Sequence, residues 1–178
     1  DDKIYIINAE QEKKFNSENA DLSQFKNTDA DGNVFGQMLM EGSVDMDFAL
    51  GVLGYFLDMA NSTEENSGEK YLSEGLNITL TDGQASQAEV KPASRTLSVN
   101  PQGGFYNGYD VINVFSHEIK HVMDYDAKIP GANKATPAGE IRADEFSIKH
   151  WSFKKASSYR KKMVSQHMKQ EQSKIRKQ

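Results

Sequence analysis

Apolar positions along the chain come in bunches, and the bunches predict one helix, several short strands and then further helices. The most apolar stretch is residues 44–60, Val44 to Ala60, which carries a stripe of Met and aromatic side chains. Ser43 supplies an N-cap, and Asp45 and Asp47 suit the positive end of the helix dipole. This is the expected central packing helix, with its Met and aromatic side chains in the core rather than around a ligand. Residues 3–8 are a short β-type run, and residues 76–81, closed by Asp82-Gly83, read as a strand and turn. Residues 95–100 alternate and stop at Pro101, which suits an edge strand.

A Gly-rich loop fills residues 101–108, and a helix then runs through Val111, Val114, Phe115 and Val122, with Asp110 as its expected cap. Ile129-Pro130-Gly131-Ala132-Asn133 reads as a turn. Thr136 followed by Pro137 starts another helix, a capping hydroxyl before proline at the first helical position. The order predicts an α+β domain: a small mixed sheet and several helices in one unit spanning 1–178. Asp29-Ala30-Asp31-Gly32-Asn33 has acids at calcium-loop spacing. Its glycine falls fourth and its twelfth position is Met40, so that chemistry is set aside.

The helix through Val111 and Val122 carries His117-Glu118-Ile119-Lys120-His121, an HExxH pattern. Residues four apart lie on one helical face, so both histidines can aim a ring nitrogen at one metal ion, with Glu118 beside them. A catalytic zinc commonly keeps three protein ligands and an open position for water. Glu140 offers the third ligand, in the first turn of the helix opened by Thr136-Pro137, and Asp144 follows one turn later on the same face. That spacing suits a ligand plus a carboxylate that orients a zinc-bound histidine through its other ring nitrogen. The helical hairpin joining the two segments would bring their faces together.

Composition narrows the choice. There is no cysteine among 178 residues, so disulfides and thiolate metal sites are excluded and only His and carboxylates remain as ligands. With 37% hydrophobic and 26% charged residues, the chain can bury a core. Nothing approaches a membrane-spanning apolar run, and no secretory leader is visible. The start at Asp1-Asp2 without Met suggests a processed piece. Charge is uneven: residues 151–178 hold nine Lys/Arg against one Glu, and residues 1–150 hold 12 basic against 25 acidic. The basic helical tail, at about 154–178, reads as a solvated helix rather than a nucleic-acid contact, because no aromatic follows Tyr159 to stack on bases. No nucleic-acid partner is expected.

His117-Glu118-Ile119-Lys120-His121 followed by Gly139-Glu140-Ile141-Arg142-Ala143-Asp144 resembles the gluzincin pattern, HExxH with a downstream ExxxD, over roughly residues 94–150. The resemblance implies a zincin-like fold with an active-site helix and further packing helices. It also implies one Zn2+ per chain on His117, His121 and Glu140, Glu118 as general base and Asp144 supporting a histidine ligand. The metzincin pattern does not fit, since no Gly and third His follow soon after His121. The short spacer, together with Asp124 three residues after His121, is similar to compact bacterial toxin and effector metallopeptidase domains. That likeness implies a protein or peptide substrate and an inhibitor or immunity protein as partner. It also implies secretion or delivery within a larger bacterial protein; the residues themselves leave location open. The expected activity is zinc-dependent endopeptidase cleavage of a protein substrate. The alternative is a catalytically inactive zincin-like module that binds a partner protein. Tyr106, Tyr109, Tyr125, His150 and Tyr159 are the candidates for a further donor to the oxyanion.

Overall fold

The computed structural model describes residues 5–6, 26–27, 46–65, 67–81, 86–100 and 108–177. Among these residues four α-helices and a three-stranded mixed sheet make an α+β arrangement. The helices are α1 (Met46–Ala60), α2 (Gly108–Asp126), α3 (Pro137–Lys149) and α4 (Ser158–Ile175). Two-residue strands β1 (Tyr5–Ile6) and β2 (Lys26–Asn27) pair antiparallel, apart from the sheet. The Ser43 cap, the acidic 29–33 segment and the 101–107 loop with Tyr106 lie outside the described residues.

The sheet contains β3 (Asn77–Leu80), β4 (Ala88–Lys91) and β5 (Thr96–Val99), in the order β3-β5-β4. β5 runs parallel to β3 and antiparallel to β4. The stretch expected at the edge, residues 95–100, is therefore the central strand. Leu97 and Val99 point inward and are almost wholly buried, and neighbours on both sides take their backbone groups. The edge beside α2 belongs instead to β4, whose Ala88 and Val90 face the core while Glu89 and Lys91 face solvent. Strand order is set by long-range pairing, and local alternation does not encode it.

α1, the packing helix expected within residues 44–60, buries Val52, Leu53, Phe56, Leu57 and Ala60. That face packs against α2, which is apolar on more than one side: Val111, Ile112, Val114, Phe115, Ile119 and Val122 are all buried. A helix enclosed this way is a rigid platform, and the HExxH residues are built on it.

Asp110 does not act as the start of α2, which begins at Gly108. Its fully buried carboxylate instead accepts from the Ser157 N–H (2.8 Å) and hydroxyl (2.7 Å), fastening the first turn of α2 to the start of α4. Ser157 in turn caps α4 by accepting the Arg160 N–H at 3.1 Å. The basic C-terminal stretch is thus a packed wall of the domain, with Arg160, Val164 and Glu171 buried.

α2 ends in a reverse turn. The Lys128 N–H donates to the Tyr125 carbonyl and the Ile129 N–H to the Asp124 carbonyl, both at 2.9 Å, the pairing of a Schellman C-cap. The left-handed residue is Lys128 (φ 56°), where glycine is the unstrained choice. Lys128→Gly is therefore expected to raise stability by about 0.5–1 kcal/mol in denaturant titration; an unchanged or lower midpoint would contradict this.

The hairpin is clamped by Asp124, buried among polar partners: Arg142 Nε of α3 donates to it at 2.6 Å, and Lys120 donates from the same helix. These two cations outweigh the cost of burial and hold the carboxyl below its ordinary pKa. Asp124 thus ties the two helices together and is not part of the group formed by His117, His121 and Glu140. Thr136 caps α3 as expected, its hydroxyl accepting the Gly139 N–H at 3.1 Å with Pro137 at the first helical position.

Candidate metal centre

α2 and α3 meet so that His117, His121 and Glu140 converge, one ligand atom from each lying within 4.8 Å of the others. His117 Nε2 is 3.3 Å from Glu140 Oε2 and 3.3 Å from His121 Nε2; His121 Nε2 is 3.6 Å from Glu140 Oε1. Four ligands at about 2.0–2.1 Å around a tetrahedral zinc ion sit about 3.3 Å from one another. The side chains are thus already spaced for that ion, and the three residues can hold a metal. Each imidazole presents Nε2 to the common centre, the local consequence of i,i+4 spacing on a buried helix.

Asp144 supports the cluster from behind. Its Oδ1 is 3.1 Å from His117 Nδ1, which leaves Nε2 free for a metal. Asp144 is 2% exposed, so the pairing has little competition from water. Its other oxygen, Oδ2, lies 2.9 Å from Nδ1 of His167 on α4. One carboxylate therefore holds two imidazoles. The sequence reading did not single out His167. Its ring centroid is 6.1 Å from that of His117, and its Nε2 is 4.0 Å from Glu140 Oε2 and 3.7 Å from Glu171 Oε1.

Glu118 is buried on the adjacent side of α2, and its Oε2 accepts the backbone N–H of Val90 at 3.0 Å. The register of β4 explains why that N–H is available. Gln87 bonds across to Asn100, so Ala88 and Val90, the alternate positions, turn their backbone groups away from β5. Burial pushes the Glu118 carboxyl up from its ordinary value, against the pull of His117, His121 and the Val90 N–H.

A cleft of about 690 Å³ opens over the cluster. The β4 edge forms one wall, α4 with Arg160, Met163 and His167 forms the other, and His117, Glu118 and His121 form the floor. No family model, curated protein or solved structure matches this chain.

None of the four described candidates for an oxyanion donor lines this cleft. His150 is buried, with Nδ1 2.8 Å from the Ser152 hydroxyl, and burial lowers its pKa to about 4. Tyr109 packs against Trp151 and Lys155, while Tyr125 and Tyr159 are exposed elsewhere. A signal for His167 was nevertheless present. Arg160, Val164, His167 and Glu171 recur at spacings of four, three and four, which puts them on one face of the basic helix. That face is the one turned inward.

In metal-free protein the cluster is a pH-dependent ion network. Burial opposes charge on His117, but Asp144 and Glu140 outweigh it and raise its pKa from 6.5 to about 9. Burial likewise opposes charge on Glu140 and Asp144, and their histidine partners outweigh it, holding both carboxyls below the ordinary range. The His117 contribution is complete below about pH 6.5 and is lost as pH climbs through about 9. The carboxylate contributions are present above about pH 4 and are lost on acidification. Chelator-treated protein is therefore expected to melt highest between about pH 5 and 6.5. The rise toward pH 9 removes on the order of 3 kcal/mol, about 5–10 °C. A flat melting temperature across that range would refute the network.

Proposed function

We propose that the protein is a zinc-dependent peptide hydrolase acting on extended polypeptide. The observation that carries this reading is the 3.3–3.6 Å spacing of the His117, His121 and Glu140 ligand atoms beside Glu118 at the floor of a cleft. A zincin-like architecture fits the same features: a helix bearing both histidines, a second helix bearing the carboxylate, and an antiparallel edge strand alongside.

Zinc held by these three residues supplies Lewis acidity, polarising a carbonyl and lowering the pKa of water from about 15.7 toward 7. The chain's own groups do the rest. Glu118, with Oε2 fixed by the Val90 N–H, keeps Oε1 to take the proton of the attacking water and deliver it to the departing amine nitrogen. Its upward-shifted carboxyl suits a group that must both accept and release a proton near neutrality. Asp144 fixes His117 in the tautomer whose Nε2 faces the cluster. His167 donates Nδ1–H to the same aspartate, which raises its pKa; as the imidazolium it also carries Nε2–H, which donates in the cleft to the oxygen that gains charge as the carbonyl is attacked.

The test is metal analysis of gently purified protein together with a proteome-wide search for new peptide termini, parent against Glu118→Gln. Stoichiometric zinc and termini absent from the variant support the reading; protein without tightly held metal, or identical termini, overturns it. His167→Ala is expected to keep zinc and lower kcat by about 10²–10³-fold with little change in KM. An equal loss of zinc would instead make that histidine structural.

A further inference from the structure

The far end of the cleft holds a cation that the hydrolysis reading does not use. Arg160 on α4 lines the cleft yet is only 8% exposed. Its Nε–H donates to Asn113 Oδ1 at 2.9 Å, while Nη1 reaches Gln87 Oε1 at 3.4 Å and Nη2 reaches the Asn113 carbonyl at 3.5 Å. Among the described residues these partners are neutral, and the two terminal nitrogens hold theirs at the limit of hydrogen bonding. A buried guanidinium whose direct partners are amides, with carboxylates only further out, is costly, and five donors in a fixed fork are more than these partners satisfy. Burial is felt by the group, whose pKa falls to about 10 despite Asp144, Asp110 and Glu118 in its surroundings. It stays charged at any physiological pH.

Two independent elements fix where this cation lies along a bound chain, taking Val90, His167 and Glu118 to mark the reacting bond as proposed above. On α4, Arg160 precedes His167 by seven residues, two turns on the same face, or about 10 Å. On the sheet edge, Gln87 precedes Val90 by three residues of strand, again about 10 Å. An extended substrate advances about 3.3 Å per residue, so both walls put the Arg160–Gln87 pair about three residues from the cleaved bond.

We propose that Arg160, with Gln87, is a substrate-recognition site for a carboxylate about three residues from the scissile bond. The carboxylate is either an acidic side chain or the substrate's own C-terminus, both of which the planar fork can bind bidentately. Binding there replaces two long contacts to amides with charge-assisted bonds to an anion. It also gives the cleft a direction, because the opposite end has no equivalent cation so deeply placed among the described residues.

The experiment is cleavage of a synthetic peptide library by the zinc-loaded parent, by Arg160→Gln and by Gln87→Glu. Matched members carry Asp, Asn, Glu or Gln three residues to either side of the cut, and a free or amidated C-terminus. The parent is expected to favour the carboxylate member of a pair by tenfold or more. A side-chain preference and a terminus preference separate the two sources. Arg160→Gln should collapse the ratio. Gln87→Glu, which supplies the fork with an internal carboxylate and removes no buried contact, should collapse it even if Arg160→Gln fails to fold. Cleavage without a carboxylate preference, or a preference that survives Gln87→Glu, overturns the proposal and leaves hydrolysis standing. If the parent cleaves nothing, hydrolysis falls, and capture of the same peptides on immobilised Glu118→Gln protein decides the carboxylate site. Retention of acidic over amide members that Gln87→Glu abolishes supports it; equal retention overturns it.

Discussion

Glu118→Gln is expected to retain zinc at the parent level while peptide hydrolysis falls by about 10²–10⁴-fold. The substitution keeps shape and volume in a buried position, and the amide oxygen can still accept the Val90 N–H. What disappears is the carboxylate proposed above to take a proton from water. Metal content measured beside kcat on any cleaved peptide checks both halves. Hydrolysis within threefold of the parent would remove Glu118 from the chemistry. Loss of zinc would mean that its role is to hold the cluster together.

The second large effect is expected at the metal itself. Glu140→Ala removes one of three donors whose mutual distances are already those of a zinc site. Apparent binding free energies of structural zinc sites, divided among their ligands, give about 3–4 kcal/mol per ligand. Zinc affinity should then fall by two to three orders of magnitude. Asp144→Ala acts one bond further out, by freeing His117 Nδ1, and is expected to cost only about 10–100-fold. Competition with a fluorescent zinc chelator measures both. If the two variants weaken binding equally, or Glu140→Ala binds as the parent does, the ligand assignment is wrong. Asp144→Ala should in addition depress kcat at saturating zinc, because it also frees His167, whereas restored metal should rescue a residue that serves only the ligand.

How much of this could be read in the sequence follows from the range of each interaction. His117, Glu118 and His121 were legible because one turn of helix brings them together, and no other part of the fold is needed to do so. Glu140 and Asp144 were legible at one remove, since a capped helix start and a short turn limit where the next helix can pack. The fourth histidine was missed because 46 positions separate it from His121, and it lies in a lysine-rich stretch whose charge suggests solvent. Its inward face comes from Asp110 fastening Ser157, a contact 47 residues apart that no local period announces. The sheet edge was misplaced for a related reason. Residues 95–100 alternate as a strand should, while the strand that occupies the edge, Ala88–Lys91, carries only Ala88 and Val90 as an apolar signature.

The order of these pieces along the chain bears on biosynthesis. Both imidazole donors and the carboxylate lie before residue 141, and the helix that completes the far wall starts at Ser158. A nascent chain leaving the ribosome therefore exposes all three residues before α4 has emerged. Any capture of an ion by these residues and the closing of the cleft by α4 are then separable events, with the tie between Asp110 and Ser157 as the step that joins them.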